Sequence, residues 1–152
     1  MTEISPAGLH DASAILELQR LAYQSEARLY HDGSIAPLTQ TLESLESELE
    51  HAIVLKAVVA KCIVGSVRAK VIEGVGHIGR LIVHPDYQGR GIGSALLERI
   101  EASLDTVARY ELFTGSRSEA NIRLYQRHGY RITRTEPLST NVSIVFMQKS
   151  AS

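Results

Sequence analysis

Past mid-chain, an apolar run, Leu81-Ile82-Val83, leads into Gln88-Gly89-Arg90-Gly91-Ile92-Gly93, which leads into an amphipathic run from Ser94 to Leu104. That order reads as strand, glycine loop, helix. Such a loop aims several free backbone N–H groups at one point, and the helix dipole adds positive potential there. The natural guest is a phosphate or pyrophosphate. Glycine has no Cβ, so the backbone can approach phosphate oxygens closely and take positive φ.

Three glycine-loop patterns compete. A P-loop needs Lys-Ser or Lys-Thr after its last glycine, and Ser94-Ala95 stands there instead. A dinucleotide fingerprint needs G-x-G-x-x-G after the first strand of a βαβ unit, whereas the glycines here are 89, 91 and 93, and late in the chain. The third pattern, Q/R-x-x-G-x-G/A, is met by Gln88, Gly91 and Gly93. The plain alternative is a glycine-rich turn before a helix.

The rest of the chain narrows the choice. At 152 residues it fits one domain, 1–152, with room for a sizeable core. A formal net charge of -1 argues against a nucleic-acid partner. The most apolar stretch, Ile53 to Gly65, is broken by Lys56 and Lys61 and is too short to span a bilayer. Met1-Thr2-Glu3 lacks the basic and apolar run of a secretory leader. The single cysteine, Cys62, cannot form an internal disulfide, which fits a reducing, cytoplasmic setting. Its apolar neighbours suggest a packed small residue rather than a nucleophile. The six histidines show no H-x-H or H-x-x-x-H pairing, so no metal site is expected.

Periodicity orders the elements. Glu3 to Ser5 reads as extended. Asp11 offers a helix cap, and Ile15, Leu18, Leu21, Ala22 and Leu29 predict a first helix reaching about Tyr30. His31 to Ser34 and Pro37 mark a loop. A second helix starts near Thr39 or Thr41, with Leu42, Leu45 and Leu49 on one face and a solvated acidic face of Glu43, Glu46, Glu48 and Glu50. Ala52 to Ala60 reads as a buried strand. Ile63 to Val71 reads as half-exposed, with Val67, Ala69 and Val71 inward and Ser66, Arg68 and Lys70 outward. After a Glu73-Gly74 turn come a strand from His77 to Val83, the glycine-loop helix, a strand from Tyr110 to Thr114, and a helix from Ser118 to His128 ended by Gly129. Two strands, Tyr130 to Arg134 and Val142 to Met147, close the chain. Hairpins mixed with two crossover helices predict a mixed sheet.

A second motif, Asn121-Ile122-Arg123-Leu124-Tyr125-Gln126-Arg127-His128-Gly129-Tyr130, resembles the signature N-x-x-L/A-Y-x-x-x-G-F/Y of the GNAT superfamily of N-acetyltransferases. The loop at Gln88, Gly91 and Gly93 resembles that family's coenzyme A pyrophosphate loop, and the two motifs stand in the family's order. The resemblance implies an α/β (α+β) fold with a mixed, mostly antiparallel sheet flanked by helices on both faces. The chain departs from the family at the Ala60-Lys61 hairpin, which lacks the usual glycine turn.

The resemblance also implies site residues. Backbone groups of Leu81, Ile82 and Val83 would pair with a pantetheine arm like an added strand, provided the neighbouring strand splays away. The Val83 N–H would serve as a one-donor oxyanion site. Amides of Gln88, Gly89, Arg90, Gly91, Ile92, Gly93 and Ser94 would hold the pyrophosphate, and Asn121 would bond the pantetheine. Tyr125 is the candidate acid for a leaving thiolate, its alternative being a core tyrosine. His77 is the candidate base, its alternative being a strand-end histidine. Tyr23, Glu26 and Tyr30 are candidates for binding the acceptor, between the segments Tyr23–Thr41 and Pro137–Asn141.

The expectation is acetyl transfer from acetyl-CoA to the primary amine of a small molecule by direct attack on the thioester. Two alternatives stay open: a protein or peptide N-terminal acetyltransferase, and a non-catalytic acyl-CoA-binding sensor module. Family members are often dimers, so a homodimer is a candidate assembly.

Overall fold

The computed structural model describes residues 2–30 and 35–151, with the side chains of Ser25, Glu26, Leu29 and Tyr30 outside the description. Seven strands form one sheet: β1 (Glu3–Pro6), β2 (Ile53–Val59), β3 (Cys62–Ile72), β4 (Val75–Val83), β5 (Arg109–Gly115), β6 (Arg131–Pro137) and β7 (Ser143–Ser150). Their spatial order is β1-β2-β3-β4-β5-β7-β6. The helices are α1 (Ala12–Tyr30), α2 (Ala36–Thr39), α3 (Leu42–His51), α4 (Ile92–Ala102) and α5 (Glu119–Arg127). Neighbouring strands are antiparallel except β4 and β5, which are parallel because α4 carries the chain across between them. This is the mixed, mostly antiparallel sheet that the sequence predicts.

The apolar stripe of α4 makes the larger core. Leu96, Leu97 and Ile100 are fully buried against Val67, Ala69, Leu112 and Met147. Each such side chain contributes about 1.5–3 kcal/mol by leaving water. The helix reaches the sheet because position 65 is glycine: a Cβ there would lie 2.9 Å from Leu96 Cδ1 and 3.1 Å from the Ile82 carbonyl oxygen. A second core, Ile15, Leu16, Leu45 and Val54, holds α1 and α3 to the other face.

That second layer overturns several local readings. Ser66 and Arg68 point toward α1 and α3 rather than water, and are 1% and 5% exposed. Ser66 Oγ donates to the Leu55 carbonyl at 2.9 Å. Glu48, assigned to a solvated face, turns inward to pair with Arg68. The far end of β3 behaves oppositely: Val71, expected inward, is 50% exposed. Cys62, expected packed, opens β3 at the hairpin and is exposed. Pro37 lies in the short α2, near its start where a missing N–H costs nothing, and not in a loop. Residues 31–34 of the expected loop lie outside the described residues.

The β2–β3 hairpin turns without glycine. Ala60 and Lys61 both take left-handed backbone, φ 50° and 68°, the pair of values a two-residue type I′ turn requires.

Asp11 does not cap α1. It sits in the 3-10 turn Leu9–Asp11 and accepts from the Gly8 N–H at 2.9 Å and from Lys56 Nζ at 2.9 Å. Burial by itself would raise its pKa, but the Gly8 N–H and the Lys56 ammonium outweigh burial and hold the carboxyl below its ordinary value of 3.8. A carboxyl depressed in the folded state contributes stability that is full above its unfolded pKa and fades as pH falls through the folded value. Asp11→Asn should therefore lower Tm at neutral pH, and the gap to the parent should close as pH drops below about 4. Thermal melts across that range check it; a gap that stays constant would remove the carboxylate charge as the cause.

Candidate active site

β4 and β5 pair over three positions, Val75 with Arg109, Gly76 with Tyr110 and His77 with Glu111. Beyond His77 they part. β5 is taken up along seven positions, from Arg109 to Gly115, by β7. β4 stays with β3, and one extra residue enters it: Ser66 faces Ile82, whereas Arg68 faces Gly79. Such a bulge bends a strand and raises its local twist. Leu81 and Val83 thereby join Ile78 against the α4 core. The β5-facing edge of β4 after His77 carries no partner strand. An open edge of this kind pairs readily with an extended, amide-bearing guest.

The wedge opens into a cleft of about 610 Å³. Leu81, Ile82 and Val83 form one wall, and Asn121, Leu124 and Arg127 of α5 the facing one, together with Arg117, Ser118, Glu119 and Ala120 before them. Gln88, Gly89 and Gly91 to Ser94 close the end, with Tyr87. Ala22 and Tyr23 of α1 reach the cleft from the opposite layer.

At the closed end Gly91 precedes α4 with φ 80°. Gly89 has φ 78°, and a Cβ on either glycine would meet nothing within 4 Å. The first-turn amides of α4 have no partner within the helix. A space that Cβ atoms would fill, free amides and a helix N-terminus fit a diphosphate; the open β4 edge fits an amide chain attached to it. Coenzyme A has both parts in that order. Arg90 is not among the cleft residues: its guanidinium carbon lies 4.9 Å from the Tyr87 ring centroid. Gln88 Nε2 comes within 3.5 Å of the Val83 carbonyl oxygen, a long contact.

Of the sequence-predicted residues, the cleft brings together Leu81, Ile82, Val83, Gln88, Gly89, Gly91, Ile92, Gly93, Ser94, Asn121 and Tyr23. Tyr125 is not among them. It lies one turn beyond Asn121, 6% exposed, with its ring centroid 6.0 Å from that of Tyr130. His77 is exposed at the point where the strands part, opposite Lys70 on β3 and Glu111 on β5. The side chains of Glu26 and Tyr30 lie outside the described residues. The segment Pro137–Asn141 ends β6 and turns into β7, with Leu138 N–H bonded to the Val142 carbonyl at 2.8 Å; it does not line the cleft.

Sequence reasoning missed other members. Ser94 Oγ lies 3.0 Å from His128 Nε2, and His128 Nδ1 lies 4.0 Å from Glu98. His128 thus fixes the hydroxyl of a cleft residue from a neighbouring helix, a pairing no local spacing announces. Under the site, Tyr130 donates to Glu101 at 2.7 Å and Lys149 to the same carboxylate at 2.9 Å. Burial, reinforced by the Glu101 hydrogen bond, pushes the Tyr130 phenol well above its ordinary value and keeps it neutral.

The α1 layer is tied to the sheet by Arg68. Its guanidinium bonds Gln19 of α1 and Glu48 of α3, and reaches Gln40 Oε1 at 3.3 Å. Gln19, fully buried, donates to the Pro37 carbonyl at 2.8 Å and to Gln40 at 2.9 Å. Tyr23 follows Gln19 by one helical turn, so this knot fixes the wall that carries Tyr23.

Among the described residues, no group of histidine, cysteine and acidic side chains could hold a metal ion, and no helix is long and apolar enough to cross a membrane. Comparison with known proteins agrees with the geometry. A profile of the family described as "Acetyltransferase (GNAT) domain" matches residues 50–132. An uncharacterized N-acetyltransferase, YjcF of Bacillus subtilis (strain 168), is 24% identical over 96 residues, covering 63% of this chain and 66% of that relative. The PaiA N-acetyltransferase of Thermoplasma acidophilum, solved with coenzyme A, superposes with a TM-score of 0.84 at 18% identity over 99% of both chains. The ribosomal-protein-S18-alanine N-acetyltransferase of Escherichia coli gives 0.82 at 21% identity, over 100% of this chain and 95% of that one. At such identities the solved structures speak for the fold, and the profile for the family. The chain belongs to the GNAT family of N-acetyltransferases, with acetyl-CoA as its cosubstrate.

Proposed function

We propose that this chain acetylates the primary amine of a small molecule. The observation that carries the reading is the joint cleft: one wedge of about 610 Å³ lined both by the glycine loop and β4 and by Ala22 and Tyr23 of the α1 layer, so that α1 and α5 both border it. A bounded approach suits a metabolite better than a folded polypeptide.

Acetyl-CoA, when bound, supplies the acyl thioester. The open edge of Leu81 to Val83 holds its amide arm, and amides from Gln88 to Ser94 hold its diphosphate. The Val83 N–H donates to the acyl oxygen as negative charge develops there. Asn121 bonds the arm from the facing wall. Tyr125 gives its phenolic proton to the departing sulfur, reaching it past Asn121 and Leu124. His77 takes a proton from the acceptor's ammonium through water, since it stands away from the cleft wall, and leaves the neutral amine that attacks the thioester carbonyl. Tyr23, with Glu26 and Tyr30 further along α1, contacts the acceptor.

A second reading has a specific motive: the neighbour that acetylates the S18 alanine acts on a protein. Turnover of N-terminal peptides against turnover of an amine panel separates the two, and release of free thiol with any acceptor excludes a sensor that only binds.

Three outcomes follow. Gly91→Val places a side chain in the cradle at a left-handed φ; by calorimetric titration it should lose most of the acetyl-CoA affinity of the parent. Equal affinity in a folded variant would remove the phosphate assignment. Tyr125→Phe keeps the ring and removes the donor, so kcat should fall by roughly 10²-fold with acetyl-CoA affinity unchanged. An unaltered kcat with chemistry rate-limiting returns Tyr125 to a packing role. His77→Gln should abolish the low-pH limb of kcat/KM, and a profile that survives it places the base elsewhere.

A further inference from the structure

We propose that Arg80, backed by the buried Arg68, reads an oxyanion on the acceptor, so that the amine acetylated by this chain carries a carboxylate or an equivalent acid group. This rests on the acetyl-transfer reading and names its acceptor class.

Arg80 is the bulge residue of β4, with φ 51°. The other described non-glycine residues with positive φ, Ala60, Lys61 and Glu73, lie between strands, where turns require it; Arg80 lies inside one. Strain of this kind persists where surrounding structure imposes it, and it clusters at functional sites. Arg80 directly precedes Leu81, a cleft residue. It has no hydrogen-bond or ion-pair partner among the described residues.

Open space and a second guanidinium lie beside it. On its other side Gly79 faces Arg68 across the ladder, and a Cβ at Gly79 would meet nothing within 4 Å. Paired residues share a sheet face, so this open space lies on the α1 side, beside the Arg68 side chain. Arg68 is 5% exposed and, among the described residues, has one carboxylate partner, Glu48, and a buried Nε with no hydrogen-bond partner. Burial is the main force loosening its proton, Glu48 opposes burial, and the charge of Arg80 pushes the same way as burial; Tyr23 acts on it as well. Arg80 and Tyr23 both act on Arg68 and form a cluster with it, in which, among the described residues, the Glu48 carboxylate is set against two guanidiniums. Nearby on β3 and β4, Lys70 pairs with His77; across on β5, Glu111 is held by Arg109 at 2.7 Å.

The balance of charge among the described side chains of this cluster is positive. It disfavours a polyamine and favours an amine that brings its own negative charge. Guanidinium matches a carboxylate or phosphonate with two parallel hydrogen bonds. The sign is opposite to the one Glu26 alone suggests.

The test is thiol release from acetyl-CoA with matched acceptors: α- and ω-amino acids, their carboxamides, their decarboxylated amines and their aminophosphonate analogues. The acid-bearing members should exceed their neutral counterparts in kcat/KM by about 10-fold or more, the usual span of a charge-assisted bond. Arg80→Gln should raise acceptor KM by a similar factor and erase the preference, with acetyl-CoA KM unchanged. Arg80→Gly, which suits the positive φ, guards against misfolding and should do the same. Arg80→Lys should retain part of the preference. Carboxamides or simple amines turned over as well as the amino acids would overturn the inference and leave acetyl transfer standing. So would an unchanged preference in folded Arg80→Gly. No thiol release with any acceptor, despite coenzyme A binding, would overturn both readings.

Discussion

Three residue pairs hold β4 to β5, and after His77 and Glu111 the two strands have different owners. β7 takes the whole length of β5, and β3 keeps β4 through a bulge. Continuing the β4–β5 ladder would bury more backbone hydrogen bonds, each worth about 0.5–1.5 kcal/mol net. The fold forgoes them. In return it gains an open strand edge, a wedge bounded by α5, and a direct path from that edge to the N-terminus of α4. Every donor-side feature of the site depends on that early parting.

The two layers of the molecule meet the wedge by different means. On the α4 side the cleft offers peptide groups, because Gly65 lets the helix close on the sheet and Gly91 leaves its first amides open. On the α1 side it offers side chains, and their placement depends on a buried polar knot. Arg68 costs several kcal/mol to desolvate. Its bonds to Gln19, Gln40 and Glu48 offset that cost only while all three segments are docked. Such a knot specifies where α1, α2 and α3 sit more than it adds stability.

The sequence disclosed what is local. The glycine spacing from Gly89 to Gly93, the stripe Leu96-Leu97-Ile100 and the stop at Gly129 each express a rule that operates within a few residues, and the donor side of the site follows those rules. It did not disclose what depends on a second layer. Ser66 and Arg68 alternate like a solvated strand face, and only the cover of α1 and α3 makes them interior. Glu48 belongs to a run of acidic residues indistinguishable from a wet helix face, yet it is the one that meets Arg68. Tyr125 was legible as part of a motif with a core tyrosine as its alternative, and its depth follows from the packing of Tyr130 against it. Arg80 gave no signal, because a bulge is a property of two strands in register and not of one.

In the proposed reading, the loop from Gln88 to Ser94 would hold its guest mainly through atoms that every amino acid possesses. Replacing most of its side chains leaves those atoms in place, provided the glycines at 89 and 91 keep their backbone angles. The wall around Tyr23 has no such protection, since there each replacement changes what is presented. On that reading mutational drift is uneven across the wedge: the half assigned to the donor can stay constant while the half assigned to the acceptor is rewritten. A lineage built on this scaffold can exchange one amine for another without ever passing through a form that has lost its acyl supply.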